Sequence, residues 1–256
     1  METDGIYAQN LDDTFVLIPY YKAKDGNVIY GSSVEYSPLH YAKKALAENS
    51  KASENTKLLV KDLLNYGTAA EYYFCVDQGL TLPEEPFNQL LSEADRQIVW
   101  DESMRADYPE LSEAGTFVAK YYGRNINLLS AISIGIYYSN PAEILGAYYW
   151  NDTDYASNIE HTATTKTGIT TDEYMGSNYI KVNVPNIFAY NIYDVYYIRA
   201  YNGDGELSDT IGTSVAAYLT QLMDKYSGST TEKGKASVEL AQAMMVYGTH
   251  AASILK

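Results

Sequence analysis

The side chains of this sequence that could do chemistry are few, apart from its acids. The three histidines, His40, His161 and His250, lie in a predicted helix start, a Thr-rich loop and a predicted helix end, without metal-ligand spacing to one another. The sequence contains no Gly-x-Ser-x-Gly, His-Glu-x-x-His, Walker or Rossmann glycine motif. With 33 acidic residues, some carboxylate pair at glycosidase spacing can always be nominated, so their abundance identifies none. We therefore predict a protein that is not an enzyme, with no catalytic residues, cofactor or metal.

The unusual chemistry of this chain is aromatic, since it contains 27 tyrosines against five phenylalanines and two tryptophans. Sugar rings present apolar C–H faces that stack on aromatic rings, while nearby polar groups bind the hydroxyls. In the run 147–152, strand alternation places Tyr148 and Trp150 on one face and Tyr149 on the other. If Tyr149 faces the core, Tyr148 and Trp150 face outward with Asn151 and Asp152 beyond them. The candidate ligand-binding residues are Tyr148, Trp150, Asn151, Asp152, Tyr155, Tyr174 and Trp100.

The net charge of −15 limits the possible partners. Nucleic-acid binding depends on Lys and Arg that displace counterions, and anionic membrane surfaces attract the same residues. The longest apolar stretches, such as 128–138, are too short and polar to span a membrane. We expect no nucleic-acid partner and no membrane insertion, which leaves a neutral ligand such as a carbohydrate, or a cationic partner.

A weak internal sequence similarity appears when the sequence is aligned with itself at an offset of 181 residues. The offset places residues 10–36 on 191–217 and then residues 59–70 on 240–251, so that Tyr66-Gly67-Thr68 coincides with Tyr247-Gly248-Thr249. A match that returns in register indicates a repeated unit.

Each of the two aligned segments has the pattern of a β-hairpin followed by two helices. Alternating residues lead to turns at Asp25-Gly26 and Asp204-Gly205, and Ser37 and Ser214 are suitable N-caps for a first helix. Gly67 and Gly248 lie within the second helices, where a glycine costs about 1 kcal/mol relative to alanine. Close helix approach would compensate for that cost, so we predict a packing role for both.

The segments between the two halves differ from each other. Residues 81–115 are acidic and interrupted by prolines, and the pattern of Phe87–Met104 predicts a linker helix. From residue 116 to 200, short β-rich runs at 117–122, 126–138, 144–150, 179–184 and 193–201 are separated by turn clusters. Such spacing is typical of a β-sandwich.

The segments Ser214-Val215-Ala216-Ala217-Tyr218 and Met245-Val246-Tyr247-Gly248-Thr249-His250-Ala251 resemble a repeated module of large secreted proteins from gut Gram-positive anaerobes. In that module a β-sandwich precedes a helical pair. The resemblance is good over about 116–256 and partial over 7–76, where Pro38-Leu39 replaces the Val of Ser-Val. Some modules with this plan look like starch adherence proteins of cell-surface amylosomes, which bind α-1,4-glucans. The resemblance therefore implies starch or maltooligosaccharide as a ligand, but no binding residues.

We thus predict an α+β protein in which an antiparallel β-sandwich is followed by packed α-helices, with a second, truncated hairpin-plus-helices copy at the N-terminus. The predicted domains are 1–115 and 116–256, the latter divided into a sandwich (116–208) and a helical pair (209–256). The expected function is non-catalytic, extracellular carbohydrate binding at a cell surface. Met1-Glu2-Thr3-Asp4 looks like the start of an excised segment, so a missing signal peptide does not oppose that location. A protein-interaction or spacer module of a surface scaffold is the alternative, and a hydrolase comes third.

Overall fold

The computed structural model describes residues 6–109, 114–128, 132–139, 143–152, 165–167, 169–174 and 177–255, with side chains undescribed over 165–178. Within these ranges the chain forms four α-helices: α1 (Pro38–Leu46), α2 (Glu54–Gln78), α3 (Val215–Tyr226) and α4 (Glu232–Leu255). The twelve strands are β1 (Phe15–Leu17), β2 (Tyr20–Lys22), β3 (Val28–Tyr30), β4 (Val34–Tyr36), β5 (Tyr121–Leu128), β6 (Ile132–Tyr138), β7 (Gly146–Asn151), β8 (Thr165–Thr167), β9 (Ile169–Tyr174), β10 (Ser177–Ile187), β11 (Tyr196–Tyr201) and β12 (Ile211–Thr213).

The strands form four small antiparallel sheets. Two have four strands, in the orders β5-β6-β10-β9 and β12-β11-β7-β8, and two have only two strands, β1-β4 and β2-β3. Together with the four helices they make a mixed α+β protein, as predicted.

One hydrophobic core joins both four-stranded sheets to the helices. Ile134 and Ile136 of β6, Val182 of β10 and Ile198 of β11 are buried in the same cluster as Leu219 and Met245 of the helices. This burial follows from strand alternation, because the intervening residues of each strand point away from the core. A smaller cluster, which contains Leu11 and Val60, lies beneath α1 and α2.

Both predicted serine N-caps are confirmed. The Ser37 hydroxyl accepts the backbone N–H of His40 at 3.0 Å, and the Ser214 hydroxyl accepts that of Ala217 at the same distance. Each cap satisfies an N–H that the first turn of a helix leaves without an intrahelical partner. The start of α1 and the start of α3 are therefore determined locally.

Helices α2 and α4 pack against each other at their repeated Tyr-Gly sequences. The rings of Tyr66 and Tyr247 are stacked with centroids 5.9 Å apart. A Cβ at Gly67 would lie 2.5 Å from Cδ1 of Leu11, and one at Gly248 would lie 2.2 Å from Cδ1 of Ile192. Both values are below any real Cβ contact, so these two positions require glycine unless their neighbours move.

The contacts around the two glycines match each other in the sequence. A Cβ at Gly67 or Gly248 would lie 3.0 Å from the carbonyl oxygen of Ala8 or Ala189, respectively. Each of these alanines begins a 3-10 turn, Ala8–Asn10 or Ala189–Asn191, and the two alanines are 181 residues apart, as the glycines are. The packing role predicted for both glycines is thus confirmed, but the close neighbour of each is a 3-10 turn and not the second helix that was predicted.

The linker helix predicted over Phe87–Met104 is wrong. Short 3-10 turns at Phe87–Leu90 and Glu102–Met104 stand there instead. The Thr68 hydroxyl accepts the backbone N–H of Asn88 at 3.0 Å, and Arg96 donates to the carbonyls of Gln89 and Leu91. A helix would use the carbonyls of Gln89 and Leu91, which accept from Arg96 instead, and the Thr68 bond holds the start of the segment against α2. Side-chain contacts therefore override the local helical pattern.

The predicted β-rich runs differ from the strands in their bounds. The run 126–138 is divided between β5 and β6, which pair with each other. The run 117–122 only reaches the beginning of β5, while β8 and β9 were missed because their threonines and charged residues lack apolar alternation. No helix within the described part of the chain is long and apolar enough to cross a membrane.

Candidate functional site

A cleft of about 510 Å³ lies between the segment that contains Trp100 and the helical pair α3 and α4. Trp100 and Tyr226 supply its aromatic surface. The charged and amide side chains that line it are Glu102, Arg105, Asp224, Lys235, Glu239 and Gln242. Its volume is within the range of about 300–1,000 Å³ that small-molecule sites occupy.

Three tertiary contacts hold the Trp100 side of the cleft in place. Arg105 Nη2 donates to both carboxylate oxygens of Asp224, at 2.6 and 2.7 Å. The backbone N–H of Ala106 donates to the Thr220 hydroxyl at 3.1 Å, and the Tyr193 hydroxyl donates to the carbonyl of Met104 at 2.9 Å. The cleft is therefore built on α3 and not on a free loop.

The end of α3 forms the second wall. The helix ends at Tyr226, and Gly228 takes a φ of +70°, a left-handed conformation that favours glycine. Thr231 then accepts the backbone N–H of Gly234 at 3.1 Å in the first turn of α4. This short connection places the Tyr226 ring opposite the first three turns of α4, where Lys235, Glu239 and Gln242 share one face.

The cleft is polar but nearly balanced in charge. Arg105 is neutralised by Asp224, and Lys235 pairs with Glu232 at 2.9 Å. Burial raises the pKa of Glu239 above its usual value. The indole N–H of Trp100 is buried and has no hydrogen-bond partner among the described residues. Such a surface offers ring faces together with several donors and acceptors, which suits a neutral, hydroxyl-rich ligand.

The expectation that Trp150 faces outward into solvent is wrong, because this side chain is 1% exposed. Alternation does hold along β7, since Tyr149 packs against the main core and Tyr148 and Trp150 lie on the opposite face. That opposite face is covered as well. Trp150 pairs across the ladder with Tyr197, and Arg199 on the same face is 5% exposed and donates to the carbonyl of Ser208 at 2.9 Å.

The other residues predicted around β7 are brought together only in part. Tyr148 is half-buried and stacks on Tyr201 with centroids 4.7 Å apart. Asn151 and Asp152 are exposed, and Asp152 accepts the Tyr197 hydroxyl at 3.1 Å. Tyr174 ends β9 beside Ser177, but its side chain is outside the described set, and Tyr155 lies outside the described residues altogether. Of the predicted residues whose side chains the structure describes, Trp100 alone lines the cleft.

A second cavity of about 240 Å³ has Tyr108, Tyr121 and Arg124 in its lining. The Arg124 guanidinium lies 3.2 Å from the ring centroid of Tyr108, so that ring face is already occupied by a cation. Burial raises the pKa of Tyr108 to about 12, although Arg124 partly opposes this. In the cleft of Trp100, Lys225 Nζ also lies over an aromatic ring, but at 5.1 Å from the Tyr226 centroid. The ring faces of that cleft are therefore less closely covered than the face of Tyr108.

The most enzyme-like pair is Asp62 and His250, whose Oδ2 and Nδ1 are 2.7 Å apart across the α2–α4 interface. Burial raises the pKa of Asp62, and the hydrogen bond to His250 partly offsets that effect. The residues that line the adjacent cavity of about 140 Å³ include no serine, threonine or cysteine. Without a nucleophile, this pair links two helices and does not form a hydrolytic triad.

Sequence reasoning missed most of the residues around Trp100. Tyr226 occupies the last position of α3 before the Ser227-Gly228 break, and Lys235, Glu239 and Gln242 follow helical spacing on α4. These three polar residues on one face of an otherwise mostly apolar helix could have been recognised from the sequence as a candidate binding surface. Nothing in the sequence indicated that residues 100–105 would lie against it.

Within the described ranges, no group of three or more His, Cys, Asp or Glu side chains is placed to hold a metal ion. Comparisons with protein-family models, with curated proteins and with solved structures find no match to this chain.

Proposed function

We propose that this protein is a non-catalytic carbohydrate-binding protein that takes an α-1,4-glucan in the cleft between Trp100 and Tyr226. The observation that carries the proposal is the meeting of two aromatic rings with charged and amide side chains around one cleft of about 510 Å³. Aromatic faces can stack on sugar rings, and the polar groups can bind hydroxyls.

The choice of a neutral glycan also follows from charge. The chain carries a net charge of −15, which disfavours polyanionic ligands, and the cleft pairs its Arg105 with Asp224. The preference for α-1,4-glucan depends on the resemblance to starch adherence modules described above.

The same proposal includes the architecture of that module, two hairpin-plus-helices copies with a β-sandwich before the second. Support for the sandwich comes from the burial of β6, β7, β10 and β11 residues in one cluster. Support for two copies comes from the equal spacing of the contacts at Gly67 and Gly248. The domain bounds 1–115 and 116–256 and an extracellular, cell-surface location belong to the proposal too.

Titration with maltoheptaose tests the function by calorimetry and by tryptophan fluorescence. The chain has two tryptophans, and Trp150 is buried at 1% exposure, so a change in emission on binding reports mainly on Trp100. Trp100→Ala should weaken binding by about tenfold or more, as the loss of a central aromatic contact does. The matched control is Tyr148→Ala, which removes a half-buried aromatic on β7 and should leave the affinity unchanged.

Two results would contradict the proposal. An absence of heat and of retardation in a starch gel would exclude glucan binding, and loss of binding in Tyr148→Ala alone would move the site to β7. Release of reducing sugar from the bound oligosaccharide, above a blank, would show that the protein is a hydrolase instead.

A protein-interaction or spacer function is the second candidate, because a separate surface favours it. The hairpin at residues 15–36 exposes an apolar surface that a glycan site in the cleft does not explain.

A further inference from the structure

The surface in question is the N-terminal ribbon, defined as strands β1 to β4 and their connections at residues 15–36. Its large apolar residues are exposed over 42–68% of their surface, among them Val16, Leu17, Tyr20, Tyr21 and Tyr30. Neither hydrophobic cluster contains a ribbon residue. The ribbon therefore exposes apolar side chains that neither core cluster of the described residues covers.

The hairpin of β11 and β12 can be compared with the ribbon, because its two strands pair in a similar way. Phe15, Val16 and Leu17 pair with Tyr36, Glu35 and Val34. Tyr196, Tyr197 and Ile198, 181 residues later, pair with Thr213, Gly212 and Ile211, which follow the partners of the first hairpin by 177 residues.

The second hairpin continues into a sheet, because β11 pairs on its other edge with β7 over six residue pairs. The corresponding edge of β1 has no neighbouring strand within the described part of the chain. An open edge beside exposed apolar side chains is a template for pairing with another strand.

Proline at position 19 does not block this edge. The carbonyl of Pro19 accepts the N–H of Gly31 at 2.7 Å, so its backbone polar groups face the partner strand inside the ribbon. In an antiparallel ladder the N–H and C=O of one residue point to the same side. The N–H that proline lacks is therefore missing from the inside of the ribbon and not from its free edge.

The free edge is complementary to itself when it is reversed. It begins at the exposed acids Asp12 and Asp13, continues through the apolar residues of β1 and β2, and ends at the exposed Lys22 and Lys24. Because Pro19 points inward, the even-numbered residues carry the outward backbone groups, and two copies of this edge can pair antiparallel around Ile18. Asp12 of each copy then lies opposite Lys24 of the other. Opposite charges across an antiparallel pair are favourable, and the arrangement has the two-fold symmetry of most dimers.

The side chains beside the free edge would gain cross-strand neighbours in this pairing. Tyr20 of β2 is 65% exposed and Val16 of β1 is 55% exposed. With the two-fold axis at Ile18, Tyr20 of each copy lies opposite Val16 of the other, and aromatic–β-branched pairs across strands are favourable.

We propose that the N-terminal ribbon is a homodimer interface, in which the β1–β2 edge pairs antiparallel with the same edge of a second copy of this chain. The ribbon of the second copy provides β1 with the neighbour that β7 provides for β11. This proposal is independent of glycan binding, because the cleft of Trp100 contains no ribbon residue.

Sedimentation equilibrium of the whole chain tests the proposal, with protein at up to roughly 100 μM, where a micromolar dimer is well populated. We expect a monomer–dimer equilibrium whose dissociation constant rises at least about tenfold in Val16→Lys, which places a charge in the pairing edge. Val99→Lys is the matched control, since Val99 is 71% exposed but lies outside the ribbon, and it should not change the equilibrium.

A charge exchange tests the antiparallel register. Asp12→Lys and Lys24→Asp should each weaken the dimer by about threefold to tenfold, because each creates two like-charge pairs across the symmetric interface. The double variant restores opposite charges and should recover most of the lost affinity. Equal thermal unfolding midpoints at low concentration would show that the variants are folded.

Three results would overturn the proposal. These are a monomer at the highest concentration, a dimer that persists unchanged in Val16→Lys, and a double charge variant weaker than either single one. Glycan binding would be unaffected by any of them, so the two proposals fail separately.

Discussion

The β1–β4 hairpin and the β11–β12 hairpin are similar in strand pairing but not in environment. Leu17 pairs with Val34, and Ile198, 181 residues after Leu17, pairs with Ile211, 177 residues after Val34. Leu17 is 42% exposed, whereas Ile198 is fully buried in the main core cluster with residues of the helices and of both four-stranded sheets. A similar local pattern thus contributes to the core in one place and to the surface in the other. The difference is that β11 belongs to a four-stranded sheet that packs in the main core, whereas β1 pairs only with β4 in the described part of the chain. The following predictions test it.

The largest expected effect is the contrast between Ile198→Ala and Leu17→Ala. Truncating the buried isoleucine should lower the free energy of unfolding by about 2–5 kcal/mol, through lost burial and the cavity that remains. The same truncation at Leu17 should change it by less than about 0.5 kcal/mol, since surface substitutions have small effects. Urea denaturation of dilute protein measures both, and equal losses would show that the two hairpins are buried alike.

The next effect concerns the glycines, where the two regions should behave alike. Gly67→Ala and Gly248→Ala should each cost about 1–3 kcal/mol through overpacking, less the gain in helix propensity. Gly123→Ala is the control, because a Cβ there meets nothing within 4 Å. A neutral Gly248→Ala combined with a costly Gly67→Ala would contradict the equivalence of the two contacts. Thermal unfolding monitored by circular dichroism is sufficient.

A smaller effect is expected at the two N-caps. Ser37→Ala and Ser214→Ala each remove one hydrogen bond to a helix N-terminus and should cost about 0.5–2 kcal/mol. Because both serines are buried and bond at the same distance, the two losses should be similar. Replacement by aspartate or threonine, which can also cap, should recover part of the loss in denaturant unfolding, and failure to do so would implicate packing instead.

The smallest effect is a pH dependence at Glu239 of α4, a position without an acidic counterpart in the first helical pair. Glu239 is raised in pKa by burial, whereas the position 181 residues earlier is Leu58. An acid with a raised folded pKa stabilises most below its ordinary pKa, and that contribution is lost as pH rises through the folded value. Glu239→Gln should therefore gain stability relative to the wild type as pH rises from about 4. Melting temperatures across this range measure the change, and a constant difference would contradict the burial of this carboxyl.

Local signals were sufficient for the parts of the fold that depend on neighbouring residues. Ser37 and Ser214 identify two helix starts because a hydroxyl caps the N–H groups that follow it. Gly67 and Gly248 indicated close packing because glycine inside a helix otherwise costs stability. The alternation of Tyr148, Tyr149 and Trp150 assigned their faces correctly for the same local reason.

The candidate site could be predicted only in part. Trp100 was identified because it lies among acids without an evident core role, but the residues opposite it lie more than 100 positions later in the chain. Trp150 was misjudged because alternation assigns a face and says nothing about what covers that face. The helical pattern of residues 87–104 failed because hydrogen bonds from Thr68 and Arg96 bind its backbone groups.

The sequence by itself determined the hairpins, the helix starts, the need for two glycines and the acidic, tyrosine-rich surface, since each depends on a few adjacent side chains. The tertiary structure alone decided that β11 is joined by β7 while β1 is not, and that Trp100 and Tyr226 border one cleft. These outcomes depend on strand pairing and packing between distant segments, which local physical chemistry does not specify.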